Sequence, residues 1–216
     1  MKEASDKGLK LSPRGIVRRL EEVKAEVRLS LDISESRGIL RRYFVMNAFD
    51  GALTSLGVLL GAYTQKVADP KTIVGVILST SLAMAVSGIS GAYMAEKAER
   101  EYELEELEEA MLIDLEDTIY SKAVNWISIF AAIVDGLAPF SASMICVIPF
   151  LFVMMGFLSI VQAFFISVTL IFTTLLLLGV FLGKLSKENL LLSGLKMVVA
   201  GVTVSLLSFF LEALPV

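Results

Sequence analysis

Two aspartates stand inside long apolar stretches, and each is followed directly by glycine. The first lies in Asn47-Ala-Phe-Asp50-Gly51-Ala-Leu-Thr54, the second in Ile133-Val-Asp135-Gly136-Leu-Ala-Pro139-Phe140. A carboxylate near the centre of a bilayer costs about 2.5–3.5 kcal/mol on insertion scales, and intramembrane acids usually mark ion or proton pathways. Asn47, Asp50 and Thr54 fall at i, i+3 and i+7, on one helical face. Oxygen ligands grouped this way suit a hard or borderline divalent cation. Pro139 follows Asp135 by four residues, so the Asp135 carbonyl loses its helical hydrogen bond and offers one more oxygen. The competing reading is a buried polar network that only holds helices together. A carboxylate in a low-dielectric setting keeps its proton until a cation displaces it, which gives a physical basis for proton–metal exchange. Met84, or Met46 one turn before Asp50, would add a soft sulfur ligand and favour Fe(II) or Mn(II) over Ca(II). Packing is the other reading of a methionine in an apolar helix.

A second acidic feature runs from Glu96 to Asp117, where eleven acids meet two bases over 22 residues. Glu99, Glu103 and Glu106 share a helical face, and Leu104, Leu107, Met111 and Leu115 form an apolar seam. Two readings stay open. The carboxylates concentrate or chelate cations near a pathway, or they are a solvated face.

These acids need elements to position them, and composition says what kind. Hydrophobic residues fill 56% of 216 positions, above the globular norm of roughly 45–50%. Tyr43 to Gln65 carries only Asp50 as a charge, Thr72 to Ala95 none, and Asn189 to Leu211 only Lys196. Ala123 to Gly183 is 61 residues with Asp135 as the sole charge, long enough for two spans of about 20 residues that break near Met154-Met155-Gly156. The expected fold is an all-α polytopic membrane protein with spans at 43–65, 72–95, 124–154, 157–183 and 189–211. An acidic cytoplasmic helix covers 96–121. Residues 1–40 form a cytoplasmic N-terminal segment ahead of the 41–216 membrane domain. In it Ser12-Pro13 opens an amphipathic helix with Ile16, Leu20, Val23, Val27 and Leu31 on one face.

Eleven Lys and Arg precede the first span, while the third connection and the C-terminal tail have none. The positive-inside rule then puts the N-terminus in the cytoplasm and the C-terminus outside, in a multi-pass cell-membrane protein. Histidine is absent and the one cysteine, Cys146, lies in a span, which excludes His-based relays, triads, disulfides and CxxC sites. No cleavable signal is visible in the charged first 40 residues. Span two carries a small residue at every fourth position, namely Gly75, Ser79, Ala83, Ser87, Gly91 and Ala95, and span one has Gly57 and Gly61. Such stripes let helices approach closely in lipid, within the chain or between two copies. Span four, rich in Leu and Phe, is expected to face lipid. Lys196 either snorkels or pairs with Asp50 or Asp135. The repeated Asp-Gly step leaves a parallel duplication of spans 1–2 onto 3–4 open.

Arg41-Arg42-Tyr-Phe-Val-Met-Asn-Ala-Phe-Asp50-Gly51-Ala-Leu-Thr54, with Gly57 and Gly61, resembles the first span of the vacuolar iron transporter family. Ser87-Gly-Ile-Ser-Gly91-Ala-Tyr93-Met-Ala95-Glu-Lys97-Ala-Glu99 is similar to that family's second-span exit into an acidic cytoplasmic helix. The resemblance covers about residue 38 to the end. It implies a non-enzymatic, dimeric exporter of Fe2+ or Mn2+ from the cytoplasm, with the metal as substrate, no cofactor and no nucleic-acid partner. It also implies Asp50 as the in-membrane ligand and glutamates from Glu99 onward as the cytoplasmic metal-binding part. Three departures stand out. Gly88 occupies the family's methionine position, leaving Met84 as a shifted substitute; the acidic insertion is shorter; and an Asp-Gly-Leu motif recurs in the third span at Asp135. The other classes are an intramembrane enzyme and a non-transporting scaffold. Against the enzyme, the later aspartates of CDP-alcohol phosphotransferases are missing.

Overall fold

The computed structural model describes residues 36–113 and 119–213. Five helices follow in order: α1 (Ser36–Thr64), α2 (Pro70–Met111), α3 (Ile119–Met154), α4 (Ile160–Ser186) and α5 (Leu190–Ala213). Each is long and apolar enough to cross a membrane, so the chain is an all-α, multi-pass membrane protein. The expected amphipathic N-terminal helix lies outside the described residues.

Local chemistry sets the boundaries. Asp69 caps α2 by accepting from the Lys71 and Thr72 amides, with Pro70 in the first turn where its missing N–H costs nothing. Outside the bilayer, the Thr72 hydroxyl and then the Lys71 amide hold the Asp69 carboxyl below the usual aspartate range. α3 stops at Met154, and Gly156 makes the turn with φ +81°, where the sequence placed the break. Ser159 and Gln162 then form a capping box that opens α4.

Two expectations change. The acidic helix expected over 96–121 is shorter: α2 continues unbroken from the span through it to Met111, where Leu112 adopts a left-handed conformation. No proline or glycine interrupts Tyr93–Met111, so nothing stops the helix at the end of the span. Span four is not simply lipid-facing either. α4 buries Ala163, Phe164, Ser167, Ile171, Leu175, Leu178, Gly179 and Gly183, and the least buried helix is α5. Small residues on α4 and α5 explain it: a Cβ on Gly179 would sit 2.6 Å from Gly194 Cα, so the two backbones nearly touch.

The core lies between α1 and α3. Val45, Ala48, Ala52, Leu56 and Leu59 meet Ala138, Ala142, Cys146 and Phe150, with Ile73 and Ile77 of α2 and Ile171 and Leu175 of α4 completing it. Ser143 donates to the Gly51 carbonyl and Ser167 to the Cys146 carbonyl, tying α1, α3 and α4 together by side chain to backbone bonds. α2 packs chiefly on α3 and touches α1 sparingly.

Candidate functional site

The sparing contact between α1 and α2 leaves room for a wide, laterally open cavity of about 600 Å³ between α1, α2 and α3. Tyr43 and Asn47 line it from α1, Asp135 and Pro139 from α3, and Met84, Ser87, Gly88, Gly91 and Ala95 from α2. Met84 and Ala95 are eleven positions apart, so the cavity runs about 16 Å along α2, toward the acidic extension.

Asp135 reaches this cavity because two glycines clear its way. Gly136 points at α2, where a Cβ would come within 2.5 Å of the Ala85 carbonyl oxygen, so α3 and α2 meet nearly backbone to backbone. Gly88 faces Asp135, and a Cβ there would lie 2.7 Å from its carboxylate. The space that a side chain at position 88 would fill is thus filled by an acid from α3. Asn47 donates one amide hydrogen to the Asp135 carboxylate and another to the Tyr43 carbonyl at 2.9 Å. Pro139 stands within α3, so the Asp135 carbonyl has no amide four residues on to accept from.

Asp50 lies elsewhere. Its side chain is exposed, on the outer face of α1 with Met46 and Thr54, and does not line the cavity. The sequence grouped Asn47 with Asp50 and Thr54, but the helix splits that face: Asn47 turns inward and the other two outward. Met84 lines the cavity, whereas Met46 is 58% exposed and does not. Lys196 pairs with neither aspartate; it reaches Glu188 at 3.4 Å on the exposed end of α5. Glu99, Glu103 and Glu106 are exposed on the α2 extension beyond the cavity. Glu103 bridges to Arg100 at 2.8 Å. No three Asp, Glu or Cys side chains come together closely enough to hold a metal among the described residues.

The small-residue stripe of α2 runs along the open side of the cleft, which Ala83, Ser87, Gly91 and Ala95 line. Gly75, Ser79, Ala83, Ser87, Gly91 and Ala95 are all exposed, and nothing lies within 4 Å of a Cβ on Gly75 or Gly91. Gly57 and Gly61 of α1 are equally open.

Sequence reasoning missed Glu96. It is 3% exposed, accepting from the Tyr43 hydroxyl at 3.2 Å and from Arg100 Nε at 2.9 Å. A signal was present, since Ile73, Ile77, Ser81, Ala85, Ala92 and Glu96 are the buried face of α2. Extending that phase past the apolar segment places Glu96 inside.

Fold and cavity together define a multi-pass membrane protein whose described residues form five membrane-length helices, with a cavity lined by the carboxylate of Asp135. No family model matches the chain. It is 35% identical over 175 residues to the uncharacterized protein MJ0645 of Methanocaldococcus jannaschii, covering 79% of this chain and 87% of that protein. The chain belongs to the same family as MJ0645.

Proposed function

We propose that this protein is a divalent transition-metal transporter of the vacuolar iron transporter type, moving Fe2+ or Mn2+ out of the cytoplasm in exchange for protons. The observation that carries the reading is Asp135: an acid at membrane depth, lining a cavity that leads to an acidic helix. A carboxylate in that setting is costly unless something positive reaches it. Asp135, the amide oxygen of Asn47 and the Met84 sulfur are the ligands along the path, a mixed set that suits Fe2+ or Mn2+ better than Ca2+. Asn47 now presents N–H groups to Asp135, so an arriving ion takes the place of that amide hydrogen bond and turns its oxygen inward. Glu99, Glu103 and Glu106 gather the ion electrostatically at the cytoplasmic end rather than as a preformed cage.

The working unit is a homodimer in the cell membrane, N-terminus inside and C-terminus outside. Support comes from the outward face shared by Asp50, Thr54, Gly57 and Gly61 of α1 and the open stripe of α2. A second copy on this face would shield Asp50 from lipid, close the cavity laterally and bring the two aspartate sets toward one pathway.

Mn2+ flux into proteoliposomes, read by an internal metal-sensitive dye, tests the reading. Wild type should carry Mn2+ faster with a proton gradient of the exchanging sign, and Asp135→Asn should lose flux by on the order of 100-fold. Flux that survives Asp135→Asn would defeat the site assignment, and indifference to the gradient would remove the proton coupling.

A further inference from the structure

At the end of the bundle away from the acidic extension, α1, α4 and α5 leave two adjoining hollows of about 250 and 440 Å³, which share Tyr63, Phe164 and Phe209. Leu59, Leu60, Phe165 and Val168 wall the inner one. Its serine, Ser205, already donates to the Gly201 carbonyl at 2.9 Å, so the hollow suits hydrocarbon and not water. The outer hollow runs past Thr64 and Val67 to Lys66. Phe164 anchors the wall, meeting Tyr63 edge-on at 5.3 Å and the core ring of Phe150 at 5.2 Å. Lys66 is exposed, and no carboxylate among the described residues bonds it. Asp69, the acid of the same loop, is taken up by the Lys71 and Thr72 amides and the Thr72 hydroxyl.

We infer that this groove is a site for an anionic phospholipid, with one acyl chain between α1, α4 and α5 and the headgroup phosphate at Lys66. Three features carry it. The groove lies where the membrane-length stretches of α1 and α4 meet their ends, at Thr64 and Ile160, so its walls face acyl chains and its mouth faces headgroups. From Val168 through the part-exposed ring of Tyr63 to Lys66, the lining passes from hydrocarbon to phenol to ammonium. A phospholipid passes from chain through glycerol to phosphate in the same order. Lys66 also lacks an acid of its own, so an anionic headgroup supplies the missing charge, whereas a zwitterionic one brings a competing cation. A second copy is the poorer occupant. Leu59 and Tyr63 each stand two positions from Gly61, about 160° around α1 from the face proposed for it. The site is independent of metal transport.

Fluorescence quenching by brominated phospholipids tests the site without any transport assay. In a Trp126→Phe background, Phe209→Trp places the single tryptophan on the groove. Phe152→Trp places it instead on another hollow at the same end, of about 470 Å³, lined by apolar residues such as Phe157 and Leu158 and by no base. The full-length protein is reconstituted in phosphatidylcholine. Brominated phosphatidylglycerol should then compete for the Phe209→Trp position about fivefold better than brominated phosphatidylcholine, and within about twofold at Phe152→Trp. Lys66→Gln should bring Phe209→Trp to parity within about twofold, while quenching by brominated phosphatidylcholine stays unchanged. A preference that survives Lys66→Gln, parity in the parent, or the same preference at both reporters would overturn the site. Weak quenching by both lipids at Phe209→Trp alone would show protein in the groove, and would overturn it as well.

Discussion

The two Asp-Gly steps read alike in sequence and differ in space. In both, glycine is the contact point between helices. A Cβ on Gly51 would lie 2.6 Å from Pro139 Cα, and one on Gly136 would lie 2.5 Å from the Ala85 oxygen. With the glycine turned inward, the preceding residue points about 100° around the helix. On α3 that direction is the cavity between α1 and α2, so Asp135 faces Asn47 and Gly88. On α1 it is the outside of the bundle, so Asp50 is exposed. The dipeptide is a packing device, and the carboxylate's task depends on which gap lies beside the packed glycine.

The contrast can be broken at several points. The largest effect expected is on Asp135: besides the flux loss of Asp135→Asn, Gly88→Leu should abolish Mn2+ flux, because the new side chain takes the space of the carboxylate. Flux retained in Gly88→Leu would mean the cavity is not the path.

Next is the packing itself. Gly136→Ala and Gly51→Ala drive a Cβ into backbone atoms, which cannot swing aside as a side-chain tip can. Each should lower thermal stability in detergent by about 1–3 kcal/mol. Gly57→Ala and Gly61→Ala meet open space and should leave the single chain within about 0.5 kcal/mol. If the outer face joins two copies, the same pair should nonetheless weaken the dimer in sedimentation analysis. Dimer affinity unmoved by Gly57→Ala, Gly61→Ala and Asp50→Leu alike would take the partner away from this face.

Smaller effects sharpen the picture. Lys196→Gln removes an exposed pair with Glu188 and should change stability by at most about 1 kcal/mol, with flux unaltered. A large loss would reinstate a link between Lys196 and the aspartates. The Asp69 cap gives a pH signature. Its carboxyl is held below the ordinary aspartate value of about 3.9, so its contribution is full above that pH and is lost as pH falls through the lowered value. Protection of the amides at the start of α2, taken relative to their intrinsic exchange rates at each pH, should therefore fall at low pH in wild type but not in Asp69→Asn, which caps without titrating.

The membrane architecture was legible because charge-free length is decisive: Thr72 to Ala95 without a charge can hardly be anything but a span. The breaks at Asp69-Pro70 and Gly156 were equally readable from turn and cap chemistry. What single-helix periodicity could not supply was the partner of each face. Asn47 and Asp50 share a helical sector, yet the α3 contact at Gly51 divides it, and only the packed bundle reveals that. Glu96 was hidden for a related reason. It sits in a glutamate-rich run in which Glu99, Glu101, Glu103, Glu105, Glu106 and Glu109 are exposed, and the buried phase inherited from the span had to be carried past the last apolar residue. The change in composition at Glu96 marks a change of surroundings and not a helix end, and the end at Met111 rather than 121 had no proline or glycine to announce it.

The central claim is that a divalent cation binds in the membrane at Asp135. Anomalous scattering from crystals soaked in Mn2+ tests it most directly. The account requires a peak inside the cavity, bonded to an Asp135 carboxylate oxygen and bounded by Asn47 and Met84. Peaks confined to the exposed glutamates of the α2 extension, with Asn47 still donating to Asp135 in an empty cavity, would contradict it.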